Sequence, residues 1–105
     1  MSNKENRAIE LVDLYRKELN SNQRLLNAMN TEGKLAVIYG HLPEAAKIAE
    51  IFSQIIDDVK ADLADINTIK NSLKDDMQYL LTTYNDLCDN QKPFIKIKEF
   101  LKDNN

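Results

Sequence analysis

Between Pro43 and Pro93 the chain carries no glycine or proline, and across that span an apolar residue returns at every seventh position. The series runs Ala45, Phe52, Val59, Ile66, Leu73, Leu80 and Leu87. Seven residues make two helical turns, so this pattern predicts α-helix with an apolar seam. The companion positions read Ile48, Ile55, Asp62, Ile69, Asp76 and Thr83, and the second seam is broken by acids at 62 and 76. Where it breaks, the next residue takes over: Leu63 follows Asp62 and Met77 follows Asp76. The stripe therefore drifts around the helix and widens, which suits a bundle with more than one neighbour better than a strict two-stranded coiled coil.

Asn67-Thr68 and Asn71-Ser72 are the weak points of this span, and Ser72 with Asp75 resembles a weak helix cap. The repeat keeps its phase across both, so residues 43–89 read as one helix, about 70 Å long at 1.5 Å per residue. Its seam comprises Phe52, Ile55, Val59, Leu63, Ile66, Ile69, Leu73, Met77, Leu80, Tyr84 and Leu87, each worth about 1.5–3 kcal/mol when fully buried. A single hairpin offers limited cover for so broad a stripe, and these residues are expected to bind a partner, either a second copy or another protein. Asp62 and Asp76 fall on the seam two heptads apart. Polar residues there fix register or partner choice, or else lie at the rim of a broad stripe.

Upstream, Ala8, Leu11, Val12, Tyr15, Leu19, Leu26 and Met29 recur at steps of three and four, predicting a first helix over about 4–29. Asn20, Ser21 and Asn22 interrupt it weakly. A short helical or loop segment, 31–42, leads to Gly40-His41-Leu42-Pro43, the clearest punctuation in the chain: Gly suits a helix C-cap and Pro the first turn of a helix. Downstream of Pro93, a tail helix over about 94–102 places Phe94, Ile97, Phe100 and Leu101 on one side; an extended reading also stays open. The expectation is one all-α domain, 1–105. It is a helical hairpin or small bundle with one long helix in its C-terminal half and a short tail helix.

Composition supports this reading. The 105 residues are 43% hydrophobic and 30% charged, with two glycines, two prolines and no tryptophan. That is too apolar for a disordered chain and too poor in turn formers for a strand-rich one. A net charge of −3 argues against nucleic-acid binding. No apolar run approaches the roughly 20 residues of a membrane span, the first residues lack the apolar core of a signal peptide, and Cys88 has no second cysteine to pair with. A cytoplasmic location is the expectation. Charge is uneven: residues 44–89 hold ten acids and four lysines, and residues 91–105 four lysines and two acids. The basic tail either folds back on the hairpin through its apolar residues or docks on an anionic surface, the one route to membrane contact.

Catalytic chemistry finds little support. His41 and Cys88 are the sole histidine and cysteine, too few for zinc and unmarked as a dyad. Glu10 with Asp13, and Asp62 with Asp65, loosely resemble the paired acidic motifs of all-α nucleotide pyrophosphatases, which hold magnesium. Most acids of the long span lie off the seam, however, and read as a solvated face. No glycine-rich phosphate loop exists. No catalytic residue, cofactor or metal is expected.

Lys60-Ala61-Asp62-Leu63 resembles the KxDL signature of small coiled-coil subunits found in the complexes related to lysosome-related organelle biogenesis. Ile66, Leu73 and Lys74 fall at similar spacings, and Leu25-Leu26-Asn27 is reminiscent of the family upstream. The likeness covers about a sixth of the chain, and Gly40 and Pro43 depart from a family expected to be helical there. It implies a non-enzymatic subunit of a helical assembly. The leading expectation is thus an interaction or adaptor subunit of a homo- or hetero-oligomeric coiled-coil bundle. The alternative is a compact monomeric bundle of the bacterial immunity or phage inhibitor type, binding a single protein target.

Overall fold

The computed structural model describes residues 2–22, 42–88 and 90–104. They form four helices: α1 (Asn3–Ser21), α2 (Leu42–Lys60), α3 (Ile66–Cys88) and α4 (Lys92–Asp103), with no strand among the described residues. The described residues adopt the expected all-helical class. The 31–42 segment, residues 23–29 of the expected first helix and His41 lie outside the described residues.

Each helix end has a local cause. Ser2 caps α1, its Oγ accepting from Glu5 N–H at 3.2 Å. The helix stops at Ser21 because Asn22 turns out of it and donates twice backwards: its N–H to Leu19 O at 3.0 Å, its Nδ2 to Glu18 O at 2.7 Å. α1 therefore ends at the Asn20-Ser21-Asn22 run. Pro93 sits in the first turn of α4, and Asn104 closes it by donating to Phe100 O.

The expected single helix over 43–89 is divided. Asp62 adopts φ 63°, the left-handed conformation that aspartate tolerates better than most residues. Leu63 N–H bonds Asp58 O at 2.9 Å and Asp62 N–H bonds Val59 O at 3.1 Å, the paired closure of a Schellman end. Asp65 then caps α3, accepting from Thr68 N–H at 2.9 Å and from the Thr68 hydroxyl at 2.7 Å. The break thus lies ahead of both weak points in the sequence, and Ser72 is inside α3. The sevenfold spacing survives the turn because Val59 near the end of α2 and Ile66 at the start of α3 pack against the same core.

α2 and α3 form a hairpin, and α1 and α4 each pack against both of its helices. Pairings fix the direction of α1: Lys4, Arg7 and Glu18 meet Asp62, Asp58 and Lys47, so α1 runs antiparallel to α2. The core joins Leu11, Tyr15 and Leu19 of α1 to Ile48, Phe52, Ile55 and Ile56 of α2. It continues through Ile69, Leu73, Met77, Leu80 and Tyr84 of α3 to Phe94, Ile97, Phe100 and Leu101 of α4. The fold measures 43 × 26 × 19 Å with a radius of gyration of 13.4 Å, close to the roughly 13 Å of a compact chain this long. No 70 Å rod is present.

Candidate interaction surface

The residues expected to bind a partner lie mostly inside the chain's own core. Phe52, Ile55, Ile69, Leu73, Met77, Leu80 and Tyr84 are fully buried, and Val59 and Ile66 are partly so. Leu63 is the exception, 57% exposed at the α2–α3 turn; Leu87 lies outside the described side chains. The tail residues Phe94, Ile97, Phe100 and Leu101 are buried too, so the apolar side of α4 faces the hairpin and leaves its lysines outward. The wide stripe that seemed to need a partner is covered instead by α1 and α4 and by the folding of the expected long helix on itself.

The two seam aspartates separate. Asp62 is exposed in the turn and accepts from Lys4 Nζ at 2.6 Å, while Lys4 O receives Asp65 N–H at 3.0 Å. Asp76 is half-buried at the α1 edge of α3 and accepts from the Tyr15 hydroxyl at 2.6 Å. Burial, and next the bond to Asp76, pushes the Tyr15 phenol far above its ordinary range. Both aspartates therefore position α1 within the chain. The signal for the turn was legible: Asp65-x-x-Thr68 is a helix-cap pattern, whereas the sequence reading set Asp65 on a solvated acidic face.

The paired acidic metal motif does not assemble. Glu10 accepts from Arg7 at 3.1 Å, Asp62 is held by Lys4 and Asp65 by Thr68. No group of three or more potential metal-ligating side chains occurs among the described residues. Glu44 Oε2, in the first turn of α2, is buried with no hydrogen-bond partner among the described residues; the positive end of the helix dipole offers it partial compensation. No described helix is long and apolar enough to cross a membrane.

A surface feature emerges where α1 crosses α2. Arg7 bonds Asp58, nearly buried, through Nη2 at 3.1 Å and Nε at 3.3 Å, and Lys47 meets Glu18 at 2.7 Å. Helical spacing puts Leu14 on the same stripe as Arg7 and Glu18, and Ile51 on the same stripe as Asp58 and Lys47. Leu14 therefore stands opposite Ile51, midway between the two ion pairs. Leu14 is 52% exposed and Ile51 packs partly on the core. Glu10, exposed, lies beside Arg7 and accepts from it at 3.1 Å. Sequence reasoning missed this surface because Leu14 lies off the α1 stripe and reads as an incidental apolar residue. Ile9, Leu63 and Ile95 are also exposed, but Ile9 lies on the opposite flank of α1 and the others on separate elements.

Compared with protein-family models, curated proteins and solved structures, the chain matches none. The Lys60-Ala61-Asp62-Leu63 tetrapeptide ends α2 and forms the turn; it does not lie inside a continuous helix.

Proposed function

We propose that the chain is a non-enzymatic, self-contained helical bundle that binds a single protein target, as immunity and inhibitor proteins do. The observation that carries this reading is the burial of the apolar ridge within one chain. An obligate subunit of a coiled-coil assembly would leave such a ridge for its neighbours, as a core cut in half. Scattered single apolar residues on the remaining surface are normal for a monomer.

The contact surface is the α1–α2 flank centred on Leu14 and Ile51. Small apolar centres ringed by polar groups are where binding energy concentrates in transient interfaces. The acidic excess of residues 44–89 favours a basic target, whose approach it accelerates. Capture from the native source followed by mass spectrometry should recover one major partner. Leu14→Asp should weaken that complex by about tenfold or more, since it places a charge at an apolar contact, while the free chain sediments as a monomer of unchanged helicity. A free chain that sediments as a stable oligomer at micromolar concentration would overturn the proposal and return the assembly reading.

A further inference from the structure

The turn between α2 and α3 is built from residues that do not require one. Lys60-Ala61-Asp62-Leu63-Ala64-Asp65 holds no glycine or proline, and lysine, alanine and leucine are good helix formers. The chain reverses there by holding Asp62 at φ 63°. A residue with a Cβ is strained in that conformation, which aspartate tolerates but does not prefer.

The apolar pattern also runs on through the turn. Val59, Leu63 and Ile66 are spaced four and three apart, the spacing of one helix face. In the hairpin Val59 and Ile66 pack against the core, while Leu63 stands 57% exposed. Straightening the turn into helix returns Leu63 to the face of its two neighbours and releases Asp62.

This turn divides the chain into two halves, α1–α2 and α3–α4. The halves meet through the shared core, Tyr15 to Asp76, Arg16 to Ser72 O and Lys96 to Asp57. The α3–α4 half of a second copy supplies every one of those contacts equally well, because its sequence is the same. Arg7–Asp58 and Glu18–Lys47 lie within the first half and are untouched by the exchange. Only the bonds from Lys4 to Asp62 and Asp65 belong to the closed turn, and an exposed ion pair of this kind holds weakly.

We propose that residues 61–65 are a hinge through which two copies of the chain exchange halves. α2 and α3 then join into one helix, and α3–α4 of each copy packs on α1–α2 of the other. A short hinge under strain favours such exchange, since the swapped dimer regains the monomer's contacts and sheds the strain. The halves must separate first, so the dimer is reached through unfolding, and closure within one chain prevails at micromolar concentration. This inference goes beyond target binding and does not rest on it.

Refolding from urea at about 10 μM and about 1 mM chain, followed by size-exclusion chromatography, tests it; reductant keeps Cys88 from cross-linking. The wild type should refold as monomer at the lower concentration and yield a dimer of equal or greater helicity at the higher. Asp62→Ala strains the turn and favours the joined helix, whereas Asp62→Gly relaxes the turn and weakens that helix. Both lose the Lys4 pair, so their difference isolates the hinge. Their dimerisation constants should differ about tenfold or more, alanine the higher, because the hinge occurs twice per dimer. No dimer from wild type or Asp62→Ala would overturn the proposal, as would equal dimer from the two variants. So would a dimer formed simply by concentrating monomer that was never unfolded, since that is surface association.

Discussion

α1 and α4 lie on the same hairpin, but they are held by different chemistry. α4 inserts two phenylalanines, an isoleucine and a leucine and adds one long-range ion pair, Lys96 to Asp57 at 2.9 Å. α1 inserts smaller groups and one tyrosine, and distributes polar contacts to both hairpin helices along its length. Apolar burial is non-directional and is not screened by salt; ion pairs and hydrogen bonds set register, and ion pairs respond to screening and pH. The tail is thus glued in place, whereas the first helix is indexed into place.

The largest expected effect lies on the apolar side of this contrast. Phe94→Ala empties a buried site and should cost about 3–5 kcal/mol in urea unfolding followed by circular dichroism, almost unchanged by salt. A loss under about 1 kcal/mol would mean that α4 is not held by its core. Next comes Tyr15→Phe, which keeps the ring on Phe52 and deletes the hydroxyl that Asp76 receives. The expected loss is about 1.5 kcal/mol, and the ring alone holds α1 if stability does not change.

Arg7→Ala should cost about 1 kcal/mol, because Asp58 is nearly buried but Arg7 is 41% exposed and screened. The loss should shrink in about 1 M salt; a salt-independent loss would assign it to packing of the arginine stem. Asp62→Gly should stay within about 0.5 kcal/mol of wild type, the glycine easing the left-handed turn as the Lys4 pair disappears. A larger loss would make Lys4 a stronger fastener than its exposure suggests.

Acidity and alkalinity should also separate the two helices. Lys47, then Asn22, lowers the Glu18 carboxyl below its ordinary 4.5, and the Thr68 hydroxyl, then its N–H, lowers Asp65 below 3.8. A carboxyl depressed by folding stabilises fully above its unfolded value and loses that contribution as pH falls through the folded value. Lys47 is raised above 10.5 by Glu18, so its contribution is complete below that pH and fades as pH climbs through the folded value. Exchange protection of α1 relative to α4 should therefore be greatest between these limits and drop at both ends. A ratio flat from pH 3 to pH 11 (about the span of these groups) would remove Glu18–Lys47 and Asp65 from the account.

The helical class and the amphipathic faces were legible in the chain. Ala8, Leu11, Val12, Tyr15 and Leu19 are the buried face of α1, as their spacing implied, and Phe94, Ile97, Phe100 and Leu101 that of α4. Those faces follow from 3.6-residue periodicity, which is a local property. The Leu14–Ile51 surface was not legible, because it exists only where two helices distant in sequence run side by side.

What the sequence determined by itself was which residues would be apolar neighbours along each helix, and that helices would form at all. Tertiary structure decided where the helix after Pro43 would stop and whose core its seam would enter. A sevenfold apolar repeat has the same form whether the covering surface comes from another molecule or from the chain's own folded halves. The choice was made by Asp62 in a left-handed turn, Asp65 at a helix cap and Lys4 from a helix some sixty residues earlier, contacts whose energies appear only once the chain has closed on itself.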